Sequence, residues 1–232
     1  MKMSKRNEAL GQLPLAFKER DNKTIQAFLV GENQSVLDSL TSFLHSDENI
    51  FYLWGEAGSG KSHLLQAYTQ SLLEQQRAVI MTPGDINKRE NVSLLEMFEI
   101  ICIDKVEQIS GHPQLEESLF FWINEVRQAN KQIILSSKIS NQSQQWHLPD
   151  LKSRIQSGRT HEIIALNRHQ ALEVFAQQAC QRGIVLDVKT LKYLENNCSM
   201  DMNFLTQLLN KLDEVTLIQK KQVTIPLLKK IL

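Results

Sequence analysis

The chain has 232 residues, of which 42% are hydrophobic and 22% charged. These proportions exclude bulk disorder and suit one large domain, or a domain with a small appendage. Twenty-six Lys and Arg balance 26 Asp and Glu, which excludes a global electrostatic pull toward nucleic acid or an anionic membrane and leaves only local patches. Cys102, Cys180 and Cys198 are odd in number, with no C-x-x-C pair. They argue against a disulfide framework or a zinc site and for a reducing compartment. No apolar run approaches the length of a membrane span, and the first 20 residues lack the apolar core of a signal peptide. A cytoplasmic location is expected.

Residues 1–23 read as a polar leader broken by Gly11 and Pro14, with one apolar island at Leu13, Leu15 and Phe17 behind Gln12. Ile25, Phe28, Leu29 and Val30 then lead to Gly31. Val36, Leu37, Leu40, Phe43 and Leu44 follow near the helical period. Ile50–Trp54 is a short apolar run rich in aromatics and predicts a buried strand. A loop with Gly55, Gly58 and Gly60 separates it from a helix over 62–74. Ala78–Met81 is a second strand, stopped by Pro83 and Gly84. A third spans 98–103 and ends at Asp104. A helix over 115–129 precedes a fourth strand at 132–137 and a fifth at 161–166. Strands alternating with helices predict βαβ units and a parallel five-stranded sheet. Beyond Leu166 only amphipathic helices follow, over 168–182, 188–198 and 201–219. The expected organisation is a leader over 1–23, an α/β domain over 24–167 and a small α-helical domain over 168–232.

Gly55-Glu56-Ala57-Gly58-Ser59-Gly60-Lys61-Ser62 matches G-x-x-x-x-G-K-[ST], between a buried strand and a helix. Glycines let backbone N–H groups turn inward around phosphate oxygens, and the helix N-terminus adds partial positive charge. Lys61 can reach the β- and γ-phosphates, and the Ser62 hydroxyl can ligate Mg²⁺. A second acid for Mg²⁺ belongs at the end of a neighbouring buried strand, where Asp104 stands. The next residue, Lys105, is a donor without an acceptor and cannot orient an attacking water while protonated. Glu107 is not an obvious substitute. Hydrolysis by this chain alone is therefore not expected.

P-loop, Walker-B strand, a strand ending in small polar residues and a C-terminal helical region together resemble the AAA+ ATPases. Within them the chain is most similar to the DnaA-related proteins, and nearer still to the Hda type, regulatory inactivators of DnaA. The likeness rests on Phe28-Leu29-Val30-Gly31-Glu32-Asn33, which looks like the segment that packs near the adenine. It rests also on Leu148-Pro149-Asp150-Leu151-Lys152-Ser153-Arg154, which looks like the arginine-finger box, and on Thr224-Ile225-Pro226 near the C-terminus. The resemblance implies an AAA+ P-loop domain with a small helical lid, and ADP or ATP with Mg as ligand. No helix-turn-helix domain is expected beyond the lid, so direct origin recognition is not expected.

The resemblance also assigns partners. Gln12-Leu13-Pro14-Leu15-Ala16-Phe17 looks like the short peptides that dock on the DNA polymerase III β sliding clamp. Leu15 and Phe17 would be the apolar anchors, and Gln12 the polar register contact. Ala16 and Phe17 depart from the Leu-Pro-Leu ending of the Hda type. Arg154 would be an arginine finger acting in trans on ATP-bound DnaA, with Arg159 as a competing choice. The implied activity is stimulated hydrolysis of DnaA-bound ATP, which prevents re-initiation of DNA replication. Association with DNA would be indirect, through the clamp. Nucleotide-dependent self-association and a place at the nucleoid or replisome are further implications.

At the sensor positions, Ser137 ends the fourth strand and Lys138 stands where an Asp is expected. Asn203 stands where an Arg is expected. Asn supplies no charge, so coupling between the lid and a γ-phosphate should be weak. The expected ligand is therefore an architectural nucleotide, ADP for preference, on Gly55, Gly58, Ser59, Gly60, Lys61, Ser62, Asp104, Ser137 and Asn203. Rival readings are a self-sufficient P-loop ATPase or kinase and a helicase-loader-like AAA+ protein.

Overall fold

A computed structural model describes residues 28–73, 77–88, 91, 93–219 and 223–232. The clamp-type motif with Gln12, Leu13, Leu15 and Phe17 lies outside the described residues.

Five strands form one parallel sheet: β1 (Ile50–Trp54), β2 (Ala78–Met81), β3 (Ile100–Ile103), β4 (Gln132–Ser137) and β5 (Arg159–Glu162), in the order β2-β3-β4-β1-β5. The three central strands are apolar because both faces of the sheet are covered. On one face Phe51, Leu53, Ala78, Ile100, Cys102 and Ile134 pack with α1 (Gln34–Phe43) and α2 (Lys61–Leu73). On the other, Tyr52, Ile101, Ile103, Ile133 and Leu135 pack with α4 (Pro113–Gln128) and α5 (Pro149–Gln156). Trp122 of α4 is fully buried, and its indole N–H donates to Ile86 O at 3.0 Å. This fold is a parallel α/β sheet domain followed by a small helical domain.

Three expectations need correction. The third strand begins at Ile100, not at residue 98, because a short helix, α3 (Leu94–Met97), precedes it and the Phe98 carbonyl accepts from Lys131 Nζ at 2.8 Å. The fifth strand is Arg159–Glu162, not 161–166. It is an edge strand whose polar alternation hid it, whereas the apolar stretch after it leaves the ladder. There Asn33 replaces a strand: its Oδ1 accepts from Ile164 N–H at 2.7 Å and its Nδ2 donates to Ile164 O at 3.0 Å. Among its described residues the lid has four helices rather than three: α6 (Arg168–Gln181), α7 (Val188–Asn197), α8 (Met202–Gln219) and α9 (Ile225–Ile231). Pro226 is tolerated in the first turn of α9, where its missing N–H costs nothing.

The lid has its own core, built on Phe175, Leu194, Leu205, Leu209, Leu212 and Leu228. Asn167 starts it with a reciprocal capping box: its side chain accepts from Gln170 N–H while Gln170 accepts from Asn167 N–H, each at 3.0 Å. Among the described residues no helix is long and apolar enough to cross a membrane.

Candidate nucleotide-binding site

The sheet's topology sets the site at the C-terminal ends of β1, β3 and β4. Gly58 and Gly60 hold φ values of 81° and 99°, the left-handed region that glycine enters without penalty. Gly55 is required for a different reason: a Cβ there would meet Ile163 O at 2.3 Å. The loop therefore closes against the residue that follows β5. Phe28 covers it from the other side, its Cε2 3.3 Å from where a Cβ of Gly60 would lie, with its ring edge-on to His63.

Lys61 Nζ donates to Gly55 O and Glu56 O, both at 2.7 Å, and to Ser59 Oγ at 3.2 Å. Burial pushes its pKa below the ordinary lysine range, opposed by the charges of Glu107 and then Asp104. The ammonium is thus held by the loop's own carbonyls, with the charges of Glu107 and Asp104 acting on it. Ser62 Oγ donates to Asp104 Oδ2 at 2.7 Å, so the loop hydroxyl and the strand-end acid already meet. Asp104 is 8% exposed. Among the described residues no group of three His, Cys, Asp or Glu could hold a metal. A divalent cation on Ser62 and Asp104 would need the nucleotide's oxygens to complete its shell.

Strand parity decides which serine meets Asp104. Ile100, Cys102 and Asp104 alternate onto the α2 face, as do Ile134 and Ser136. Ser136 Oγ hydrogen-bonds Asp104 Oδ1 and accepts from Lys105 N–H at 3.2 Å. Ser137 lies on the opposite parity. Its Oγ accepts from Ile139 N–H at 3.1 Å and it hydrogen-bonds Tyr52, whose hydroxyl burial pushes up to about 12. Of the two serines, Ser136 reaches the strand-end acid Asp104, because the β3–β4 register puts both on the same face.

Lys105 has a φ of 61° and an exposed side chain. This left-handed residue turns the chain into a single 3₁₀ turn, Val106–Gln108. Glu107 on that turn accepts from Lys138 N–H at 3.3 Å, and its charge, followed by that of Asp104, opposes the lowering of the Lys61 pKa by burial. Sequence spacing gave no reason to place the Glu107 charge near Lys61.

The lid reaches the same loop. Asp201 Oδ1 accepts from Asn203 N–H at 2.9 Å and Phe204 N–H at 3.1 Å, capping α8. Its Oδ2 lies 2.5 Å from where a Cβ of Gly58 would be, and Asn203 Nδ2 lies 3.5 Å from the same point. Asn203 is thus beside the phosphate loop, with Asp201 nearer still.

Arg154 is elsewhere. It lines a cavity of about 230 Å³ with Glu48, Asn49, Ile50, Arg127 and Gly158. That cavity is at the N-terminal end of β1, about 13 Å along the strand from Trp54 at ~3.3 Å per residue. Among the described residues no carboxylate pairs with Arg154. Arg159, by contrast, is fully engaged. Its Nε donates to Glu48 Oε2 at 2.7 Å, its Nη1 to Ser39 O at 3.0 Å and Ser42 Oγ at 2.6 Å, and its guanidinium lies 5.9 Å from the Phe43 ring centroid.

Comparison with known proteins agrees with this architecture. Residues 20–164 match the model of the bacterial DnaA ATPase domain, and residues 168–232 match that of the Hda lid domain. An uncharacterized protein of Haemophilus influenzae is 33% identical over 227 residues, covering 95% of this chain and 98% of the relative. Domain III of the Thermotoga maritima replication initiation protein DnaA superposes with a TM-score of 0.79 at 20% identity, covering 91% of this chain and 95% of that one. AMPPCP-bound DnaA from Aquifex aeolicus gives 0.68 at 21% identity, covering 86% and 68%. The chain therefore belongs to the DnaA-related AAA+ family and carries a lid of the Hda type.

Proposed function

We propose that this chain is a regulatory AAA+ protein that holds a nucleotide at its own P-loop as an architectural ligand and acts on the nucleotide of a DnaA partner. Gly55, Gly58, Ser59, Gly60 and Lys61 would cradle the phosphates of ADP or ATP, with Ser62 and Asp104 toward Mg. Phe28 and the lid would enclose the rest. Bound nucleotide also supplies a way to couple lid position to self-association.

The observation that carries the reading is the contrast between two arginines. Arg159 is consumed by Glu48, Ser39 and Ser42. Arg154 lines an open cavity at the far end of β1 from the P-loop and has no carboxylate partner among the described residues. An arginine so placed is remote from its own phosphate loop. It suits a neighbour's γ-phosphate, where a guanidinium in trans is worth roughly 10³–10⁵ in rate. Arg154 would donate to the transferring phosphoryl oxygens as their charge develops, a bidentate geometry for which lysine is a poor substitute. The segment with Gln12, Leu13, Leu15 and Phe17 would dock on the sliding clamp, concentrating the protein on loaded DNA. The outcome is ADP-DnaA and suppression of re-initiation.

The test is single-turnover hydrolysis of ATP preloaded on DnaA, with clamp-loaded DNA present. Wild type should accelerate hydrolysis. Arg154→Ala and a Leu15→Ala/Phe17→Ala double variant should each lose the effect, Arg154→Ala by roughly 10³-fold or more. No acceleration by wild type would overturn the reading.

A further inference from the structure

We propose that Arg127 is a second cation of the trans site: at the rim of the cavity that Arg154 lines, it captures the terminal phosphates of the nucleotide held by the partner, and so sets affinity where Arg154 sets rate. This deepens the reading of Arg154 as a trans-acting arginine and rests on it.

Both arginines line the cavity at the N-terminal end of β1. Arg127 comes from the last turn of α4 and Arg154 from the last turn of α5. Among the described residues neither guanidinium has a carboxylate partner. The other polar side chains of the lining are engaged already. Glu48 is taken by Arg159 at 2.7 Å. Asn49 Nδ2 donates to Lys131 O at 2.9 Å, and Ser157 Oγ donates to Arg154 O at 2.7 Å. The apolar part of the lining, Ile50 and Ile123, is buried. Gly158 lets the wall close on β1, since a Cβ there would meet Ile50 Cγ2 at 2.6 Å. Two cations without carboxylates beside an apolar surface make an anion site.

Like charges on one cavity repel. The partially negative C-terminal ends of α4 and α5 offset part of that repulsion, and an anion between the guanidiniums offsets the rest. At about 230 Å³, the cavity is smaller than the roughly 300–1,000 Å³ of sites that enclose a whole small molecule. It suits the end of a polyphosphate whose sugar and base stay outside, which is what a nucleotide seated in a second protein presents. The two arginines differ in depth: Arg154 is half-buried and Arg127 exposed. A rim charge acts on encounter and its salt dependence, whereas a sheltered donor acts on charge that develops in the transition state. Arg127 therefore belongs to capture and Arg154 to chemistry.

The test is single-turnover hydrolysis of ATP preloaded on DnaA, with clamp-loaded DNA, at increasing concentrations of the full chain. Arg127→Ala should raise the half-maximal concentration by about tenfold and flatten its salt dependence, with the rate at saturation within about twofold of wild type. Arg127→Lys should recover most of the affinity, because a point charge serves at the rim. Arg154→Ala should instead lower the rate at saturation. The urea midpoint of Arg127→Ala should match wild type. An unchanged half-maximal concentration in Arg127→Ala, or a shift that Arg127→Lys does not recover, overturns the role of Arg127 while leaving that of Arg154 standing. No acceleration by wild type overturns the reading and this inference with it. With ADP on its own P-loop, the isolated chain should bind inorganic tripolyphosphate only weakly. Tight binding that Arg127→Ala abolishes would assign the cavity to a free anion and overturn the capture of a partner's nucleotide.

Discussion

The buried carboxylate of Glu116 on α4 accepts the backbone N–H of Leu148, the residue that caps α5, at 3.0 Å. The same carboxylate accepts from His147 N–H at 2.7 Å and Gly111 N–H at 3.0 Å. A single side chain therefore ties down the entry to the helix that carries Arg154. Removing it strands three N–H groups, at about 1–3 kcal/mol for an unsatisfied buried group. Glu116→Ala should lower stability by about 2–4 kcal/mol in urea titration. Burial pushes the Glu116 pKa up, but the donors at Leu148, Gly111 and His147 outweigh it and hold the group below the ordinary glutamate range. Because the folded pKa is the lower one, this stabilisation is present above about pH 4.5 and is lost as pH falls through the folded pKa. Stability curves measured from pH 6 down to 3 should show the loss in wild type and a smaller slope in Glu116→Gln.

The two arginines separate by stability. Arg159→Ala removes an ion pair, two further hydrogen-bond partners and a ring contact, and should cost about 1–3 kcal/mol. Arg154→Ala should stay within about 0.5 kcal/mol of wild type. Thermal or denaturant midpoints decide it. A large loss for Arg154→Ala would mark that residue as structural.

Asn33 is 2% exposed and takes both backbone groups of Ile164. Asn33→Ala should cost about 2 kcal/mol, with two buried backbone groups left unpaired. The loss should register as faster amide exchange at Ile164, just beyond β5, before it appears in the lid.

Ser62 and Asp104 are hydrogen-bonded to each other, and so should respond together. Ser62→Ala and Asp104→Asn should each weaken Mg-nucleotide binding by about tenfold or more, and the double variant by less than the product. Titrations repeated with EDTA should lose that difference. Equal effects with and without Mg would assign both residues to the loop's stability instead.

The eight-residue loop and Asp104 could be singled out in the chain as candidates because each depends on local chemistry: glycines where the backbone must turn, an acid where a buried strand ends. The central strands were legible for a similar reason, since burial on both faces leaves an unbroken apolar run such as Ile100–Ile103. The edge strand Arg159–Glu162 was not, because its residues answer to neighbours such as Glu48 and Phe51 rather than to a period of their own. The two adjacent serines look alike in the chain, and only the packed face separates them.

The sequence by itself determined the alternation of strands and helices, the glycine-rich loop after β1, the acid that meets it and the change to an all-helical segment near Asn167. These follow from periodicity, glycine placement and residue chemistry, which act within a few positions. Only the tertiary structure decided that the Glu107 charge acts on Lys61, that Asp201 lies on Gly58, that Asn33 completes the ladder at Ile164, and that Arg159 is tied while Arg154 is not. Those relationships join residues far apart in the chain, and no local rule encodes them. They depend on which face a strand presents and where a helix cap points once the sheet and the lid have packed.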